Sequence, residues 1–121
     1  MFDTLFENQV GFMYLLLAAI FFITRVIVRA CPPKGINPIY GYRTKRSMKD
    51  QESWDFAQEH ANQMMLYTAF VFLGISALFY QMNIKFESDL FIMMSVFILI
   101  LGIMVYMTER ALKSRTNKQT E

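Results

Sequence analysis

Apolar and charged positions separate along this chain into long blocks. Three stretches are almost free of charge: VGFMYLLLAAIFFITRVIV over 10–28, MMLYTAFVFLGISALFYQM over 64–82 and LFIMMSVFILILGIMVYM over 90–107. Each is close to the ~20 apolar residues with which a helix crosses a hydrocarbon core of ~30 Å. Helices of a soluble bundle would carry polar outer faces, and the second and third stretches have none. The pattern predicts an all-α integral membrane protein, a single membrane domain over 1–121 with three transmembrane helices. A loop over 30–63 joins the first two spans, and a polar tail over 108–121 follows the third.

The loop divides in two. CPPKGINPIYGYRT is unsuited to a helix: Pro32 and Pro33 end the first span, and Gly35, Asn37-Pro38 and Gly41 supply turn chemistry. It reads as a compact strap at the membrane surface. Regular structure resumes at Ser47, where SMKD fits a capping box in which Ser47 takes first-turn donors and Asp50 reaches back. From Met48 the helical period puts Trp54, Ala57, Ala61 and Met65 on one face. Glu52, Asp55 and Glu59 share the opposite face, with His60 at its edge. The expectation is an amphipathic juxtamembrane helix between the first two spans, able to run directly into the second, with Trp54 in the interfacial layer.

Charge adds an orientation. The chain is 55% hydrophobic against 18% charged, below the roughly one quarter usual in soluble domains, and its net charge of +2 is too small to point to nucleic acid. Placement matters more. Arg25, Arg29, Lys34, Arg43, Lys45, Arg46 and Lys49 flank or fill the first connection, and Arg110, Lys113, Arg115 and Lys118 follow the third span. The N-terminal tail has no Lys or Arg, and NIKFESD over 83–89 has Lys85 alone. The positive-inside rule then puts the N-terminus outside and the loop and C-terminal tail in the cytoplasm. The first stretch lacks the basic flank of a signal peptide, and Arg29 argues against VRAC as a lipoprotein cleavage site. Cys31, the single cysteine, has no internal disulfide partner.

Candidate chemistry is thin. The second and third spans hold no Asp, Glu, Lys, Arg or His, whereas transporters place such groups near mid-membrane. Arg25 lies about one turn from Arg29, so both can snorkel to the inner surface, where Lys34 could add an anionic-lipid contact. Ala18, Ala19, Gly74, Ser76, Ala77, Ser95 and Gly102 are places where helices could approach closely, yet no GxxxG fixes an oligomeric state. Asp55 and Glu59 have the spacing of helical metal ligands, but His60 points roughly 100° away from Glu59. A solvated acidic stripe facing Arg43, Lys45 or Arg46 is the simpler reading, and neither metal nor cofactor is expected. An interfacial enzyme using Arg43, Glu59 and His60 on a lipid head group or a peptide would lack a nucleophile and an oxyanion site.

The same loop carries a resemblance. Gly41, Tyr42, Arg43, Thr44, Ser47 and Trp54, with Asn37 upstream, resemble the signature of the SdpI/YfhL family of small bacterial membrane proteins. That signature is a Gly-aromatic-Arg-Thr element, a Ser-led helix start and a Trp one to two turns on. Lys45 stands where many members have Pro, and Asp50 where many have Asn. The resemblance implies a multi-pass protein of the bacterial inner membrane, without enzymatic activity, that confers immunity to a toxic membrane-active peptide or signals its presence. It implies that peptide and a cytoplasmic regulator as partners beside the lipid bilayer. A structural accessory subunit of a larger membrane complex is the plainer alternative. The candidate functional surface comprises Asn37, Gly41, Tyr42, Arg43, Thr44, Ser47, Trp54, Glu59 and His60. Arg43 is expected to reach Glu52, Asp55, Glu59 or carbonyls of its own strap through charge-assisted bonds.

Overall fold

The structure, a computed structural model, describes residue 3 and residues 7–83 and 90–121. It contains α1 (Gln9–Ala30), α2 (Gln51–Gln81) and α3 (Leu90–Gln119). All three are long and apolar enough to cross a membrane. The connection expected over 83–89 falls, apart from Asn83, outside the described residues.

Asn8 starts α1 and ties it to the far end of α2. Its Oδ1 accepts the Gly11 N–H at 2.9 Å, while its Nδ2 donates to the Phe79 carbonyl at 2.9 Å. One side chain thus satisfies an orphan helix donor and bridges two helices. At the other end, Cys31 N–H closes on Ile27 O at 2.8 Å just before the two prolines stop α1.

The juxtamembrane helix is not a separate element. α2 is one helix of 31 residues, roughly 46 Å long at ~1.5 Å per residue. That exceeds a ~30 Å hydrocarbon core, so its first turns stand beyond the membrane on the strap side. The physical reason is local: QEHANQMM over 58–65 contains no Gly or Pro and mostly good helix formers, so nothing breaks the helix at the polar-to-apolar boundary. The same holds for TERALKSRTNKQ, which continues α3 to Gln119 rather than leaving a loose tail. α2 ends at Asn83 in the left-handed region, φ 47°, a conformation Asn tolerates better than most residues.

Within the span region, α1 packs along α2 more extensively than α3 does. Val10, Tyr14, Ala18, Phe72 and Met93 form the core there. Phe72 is fully buried, its ring centroid 5.9 Å from Tyr14, 5.6 Å from Phe21 and 6.0 Å from Phe97. Ser76 Oγ donates to Gly11 O at 2.7 Å across the α1–α2 seam. Of the small residues marked for close approach, Ala18 and Ser76 are buried, whereas Ala19, Gly74, Ala77, Ser95 and Gly102 are exposed. The reason is that α1 and α3 each pack mainly against α2, and the remainder of the surface faces outward with many large apolar side chains suited to lipid.

The orientation drawn from Lys and Arg placement is testable by thiol labelling in a Cys31→Ala background. A cysteine at Lys45 is expected to react only with membrane-permeant reagents, and one at Ser88, outside the described residues, with impermeant ones. Shielding at Ser88 together with external reactivity at Lys45 would invert the topology.

Candidate functional site

The strap is held to α2 from its first residues. The Pro33 carbonyl accepts the Trp54 indole N–H at 2.8 Å, and Trp54 is 0% exposed. The Lys34 carbonyl accepts Gln51 Nε2 at 2.7 Å. Asn37 then folds the chain: its Oδ1 accepts the Tyr40 N–H at 2.6 Å and the Ile39 N–H at 3.1 Å, and its Nδ2 donates to Gly35 O at 3.0 Å. This is the local side-chain bonding by which Asn makes turns. The Tyr40 hydroxyl donates to Cys31 O at 2.9 Å, returning the strap to the end of α1.

Gly41 and Tyr42 lie against Gln58. The buried Gln58 amide uses both ends on one residue: Tyr42 N–H donates to its Oε1 at 2.6 Å, and its Nε2 donates to Tyr42 O at 2.8 Å. The Tyr42 side chain reaches α3, its hydroxyl donating to Glu109 Oε1 at 3.0 Å. Burial, and next the Glu109 carboxylate, push the Tyr42 phenol well above its ordinary value, so it stays protonated as the donor. Tyr42 therefore joins strap, α2 and α3 in one residue. Gln58 and Glu109 were missed by sequence reasoning. Gln58 carried a signal: it adjoins the buried stripe of Trp54, Ala57 and Ala61, where a polar group needs a partner.

The capping box expected of Ser47 and Asp50 does not form; a reciprocal pair of the same kind lies three residues earlier, between Thr44 and Ser47. Thr44 N–H donates to Ser47 Oγ at 2.7 Å, and Ser47 N–H donates to Thr44 Oγ1 at 3.2 Å. Ser47, fully buried, has its hydroxyl 3.1 Å from both Tyr42 O and Thr44 O. Thr44 and Ser47 thus close a single turn in which Met48 N–H donates to Thr44 O at 3.0 Å. Asp50 alone caps α2, accepting the Ser53 N–H at 2.7 Å. That bond holds the Asp50 carboxyl below its usual range. Both pairs have the same spacing, and the Tyr42 carbonyl decides between them by accepting the buried Ser47 hydroxyl.

Arg43 departs from expectation. It is exposed, and among the described residues it makes no hydrogen bond or ion pair. Of its expected partners, Glu52 pairs with Arg115 and also accepts Gln119 Nε2 at 3.0 Å, while Asp55 and Glu59 receive only Gln donors; Arg46 lies 3.6 Å from Glu109. Arg115 further lies 4.9 Å over the Phe56 ring. The cause is that Gln58 fixes the Tyr42 backbone and turns its side chain to α3, so the next side chain leaves the surface.

Asp55, Glu59 and His60 do not form a set. Asp55 accepts Gln51 Nε2 at 2.8 Å, and Glu59 accepts Gln63 Nε2 at 3.4 Å. His60 stacks on Phe56 and faces Thr108 of α3, with Nδ1 to Oγ1 at 3.2 Å. Thr108 Oγ1 also lies 3.0 Å from Met104 O, within its own helix.

The protein-family description SdpI/YfhL protein family matches residues 34–116, which span the strap, α2 and most of α3. The chain belongs to the SdpI/YfhL protein family. It is similar to the "Uncharacterized protein YfhL" of Bacillus subtilis (strain 168), 34% identical over 98 residues that cover 80% of this chain and 83% of that protein. No solved structure matches it. In this family member, six of the seven signature residues are placed to hold the strap together, and Arg43 is the one that projects from it.

Proposed function

We propose that this protein is a non-enzymatic immunity or signal-transducing membrane protein that responds to a membrane-active peptide. The observation that carries the reading is the division of labour in the strap. Its polar side chains bond the protein's own backbone, giving a fixed surface, while Arg43 stands exposed upon it. A fixed surface with a projecting guanidinium suits recognition of a cytoplasmic partner by planar, charge-assisted contacts. The exposed apolar flanks of the spans offer a peptide a place to meet the protein within the bilayer. The enzyme alternative has less support, because Arg43, Glu59 and His60 each face different surroundings.

The test is survival under challenge with membrane-active peptides, with membrane levels checked by blot. His60→Gln and Glu59→Gln are expected to protect like the wild type, and Arg43→Ala to insert normally yet lose protection or signalling. Loss of a general acid or base typically costs ~10²–10⁴-fold in rate. A well-inserted but inactive His60→Gln beside a working Arg43→Ala would therefore overturn the proposal in favour of chemistry.

A further inference from the structure

Hydroxyl side chains inside long helices commonly give their hydrogen to a carbonyl one turn back in the same helix. Thr24, Ser95 and Thr116 do so here, at 2.7, 2.7 and 3.1 Å. Ser76 instead donates to Gly11 O across the α1–α2 seam. Thr68 of α2 does neither: among the described residues its hydroxyl makes no hydrogen bond, although Thr68 is only 5% exposed. Its oxygen is not sealed in, unlike the two buried side-chain atoms that lack a partner, Arg25 Nε and Asn62 Oδ1. The open space that Thr68 borders is a groove between α2 and α3. A hydroxyl withdrawn from water without a partner is costly, so an acceptor placed in that groove would gain a full hydrogen bond.

The groove has a volume of about 360 Å³ and lies in the strap-side half of the spans. Met64, Thr68 and Val71 wall it on α2, and Ile100, Met104 and Met107 on α3. From Met64 to Val71 it follows α2 for roughly 10 Å at ~1.5 Å per residue. Apart from Thr68 and the ring of Tyr67 at the rim, its lining is aliphatic or methionine. Methionine is unbranched and adapts to an irregular guest. Tyr67, and Tyr106 beside Met107, are both exposed. Tyrosines in that setting sit at the level of the lipid head groups. Helical side chains lean toward the N-terminus of their helix, which for α2 is the strap side. The Thr68 hydroxyl, one residue beyond Tyr67, therefore lies just beneath the head groups.

A ligand that completes this groove carries a free acceptor just below the head groups and an apolar tail deeper in. The backbone carbonyls of a membrane helix are tied up in its own ladder, so a docked helix has none to give. We infer that the groove seats one acyl chain of a glycerolipid, with Thr68 Oγ1 donating to the ester carbonyl of that chain. The hydrocarbon then follows the apolar walls toward Val71 and Ile100. An ether-linked chain has the same shape but no carbonyl to accept the Thr68 hydrogen. The site is independent of the peptide response proposed above.

The experiment is native mass spectrometry of the full chain in detergent, offered two phosphatidylethanolamines with chains of equal length, one diester and one diether. The diester is expected to be retained about fivefold better, the equivalent of one neutral hydrogen bond. Thr68→Val keeps the branched shape and removes the hydroxyl. It should retain the two lipids equally, and its unfolding temperature should not fall, because the hydroxyl bonds nothing within the protein. Val71→Trp sets a large ring on an exposed wall of the groove and should weaken both lipids. Equal retention of diester and diether by the wild type, or a preference that survives Thr68→Val, overturns the inference. A lower unfolding temperature for Thr68→Val also overturns it, since the hydroxyl would then have a partner in the protein. So does a dimer mass that Val71→Trp abolishes, which would give the groove to a second copy of the chain.

Discussion

Trp54→Ala is expected to be the most damaging single change in the strap region, costing ~3–5 kcal/mol, the usual range for truncating a buried large aromatic. Trp54 is 0% exposed and its indole N–H is bonded to Pro33 O, so the substitution removes both the packing and the tether of the strap. Trp54→Phe separates the two. It keeps most of the ring and leaves the Pro33 carbonyl without its donor, which costs ~1–3 kcal/mol if water cannot reach it. Thermal unfolding in detergent gives the order, and hydrogen exchange at Tyr42 N–H reports whether the strap stays docked. If alanine proved no worse than phenylalanine, the ring's packing would not be what anchors the strap.

Gly41→Ala should come next, at ~2–6 kcal/mol, from two causes. Gly41 has φ 107°, a backbone conformation that costs a side-chain-bearing residue ~1–3 kcal/mol. A Cβ there would also lie 2.7 Å from Gln58 Oε1 and 3.0 Å from Pro33 Cγ. Gln58 could swing away, since the clash is with the end of a flexible side chain. Doing so gives up both of its bonds to Tyr42, each worth ~0.5–1.5 kcal/mol. In a Gln58→Ala background the bonds to Tyr42 are already gone, so Gly41→Ala should there cost the backbone strain and whatever the close approach to Pro33 Cγ adds. Gly35→Ala is the control, because a Cβ on Gly35 meets nothing within 4 Å. Equal unfolding temperatures for the two glycine variants would remove any special demand at Gly41.

The spans were legible because each is a long uninterrupted apolar run, a signal that needs no knowledge of neighbours. Trp54, Ala57 and Ala61 were legible as a buried face for the same reason, since 3.6-residue periodicity is local. The helix start was not. Thr44, Ser47 and Asp50 are evenly spaced cap residues, and choosing among them depends on where the Tyr42 carbonyl lies. Arg43 was misjudged for a related reason. Sequence shows which carboxylates are near in number, but Glu52, one of them, is paired by Arg115 of α3, more than sixty residues on, and the Tyr42 side chain is drawn to Glu109 of the same helix. Gln58 and Tyr42 could not be paired in advance because their bonds join a strap to a helix across irregular backbone.

The bonds that dock the strap span short separations: Trp54 to Pro33, Gln51 to Lys34 and Gln58 to Tyr42 all join residues about twenty or fewer positions apart. The bonds that tie α3 to Tyr42 and to Glu52 join residues more than sixty apart. Loop closure over short separations is cheap in entropy and fast. During synthesis, α1, the strap and the first turns of α2 can therefore lock together before α3 has left the ribosome. α3 then arrives on a finished hairpin, and the Tyr42 hydroxyl and Glu52 are the latches already waiting for it.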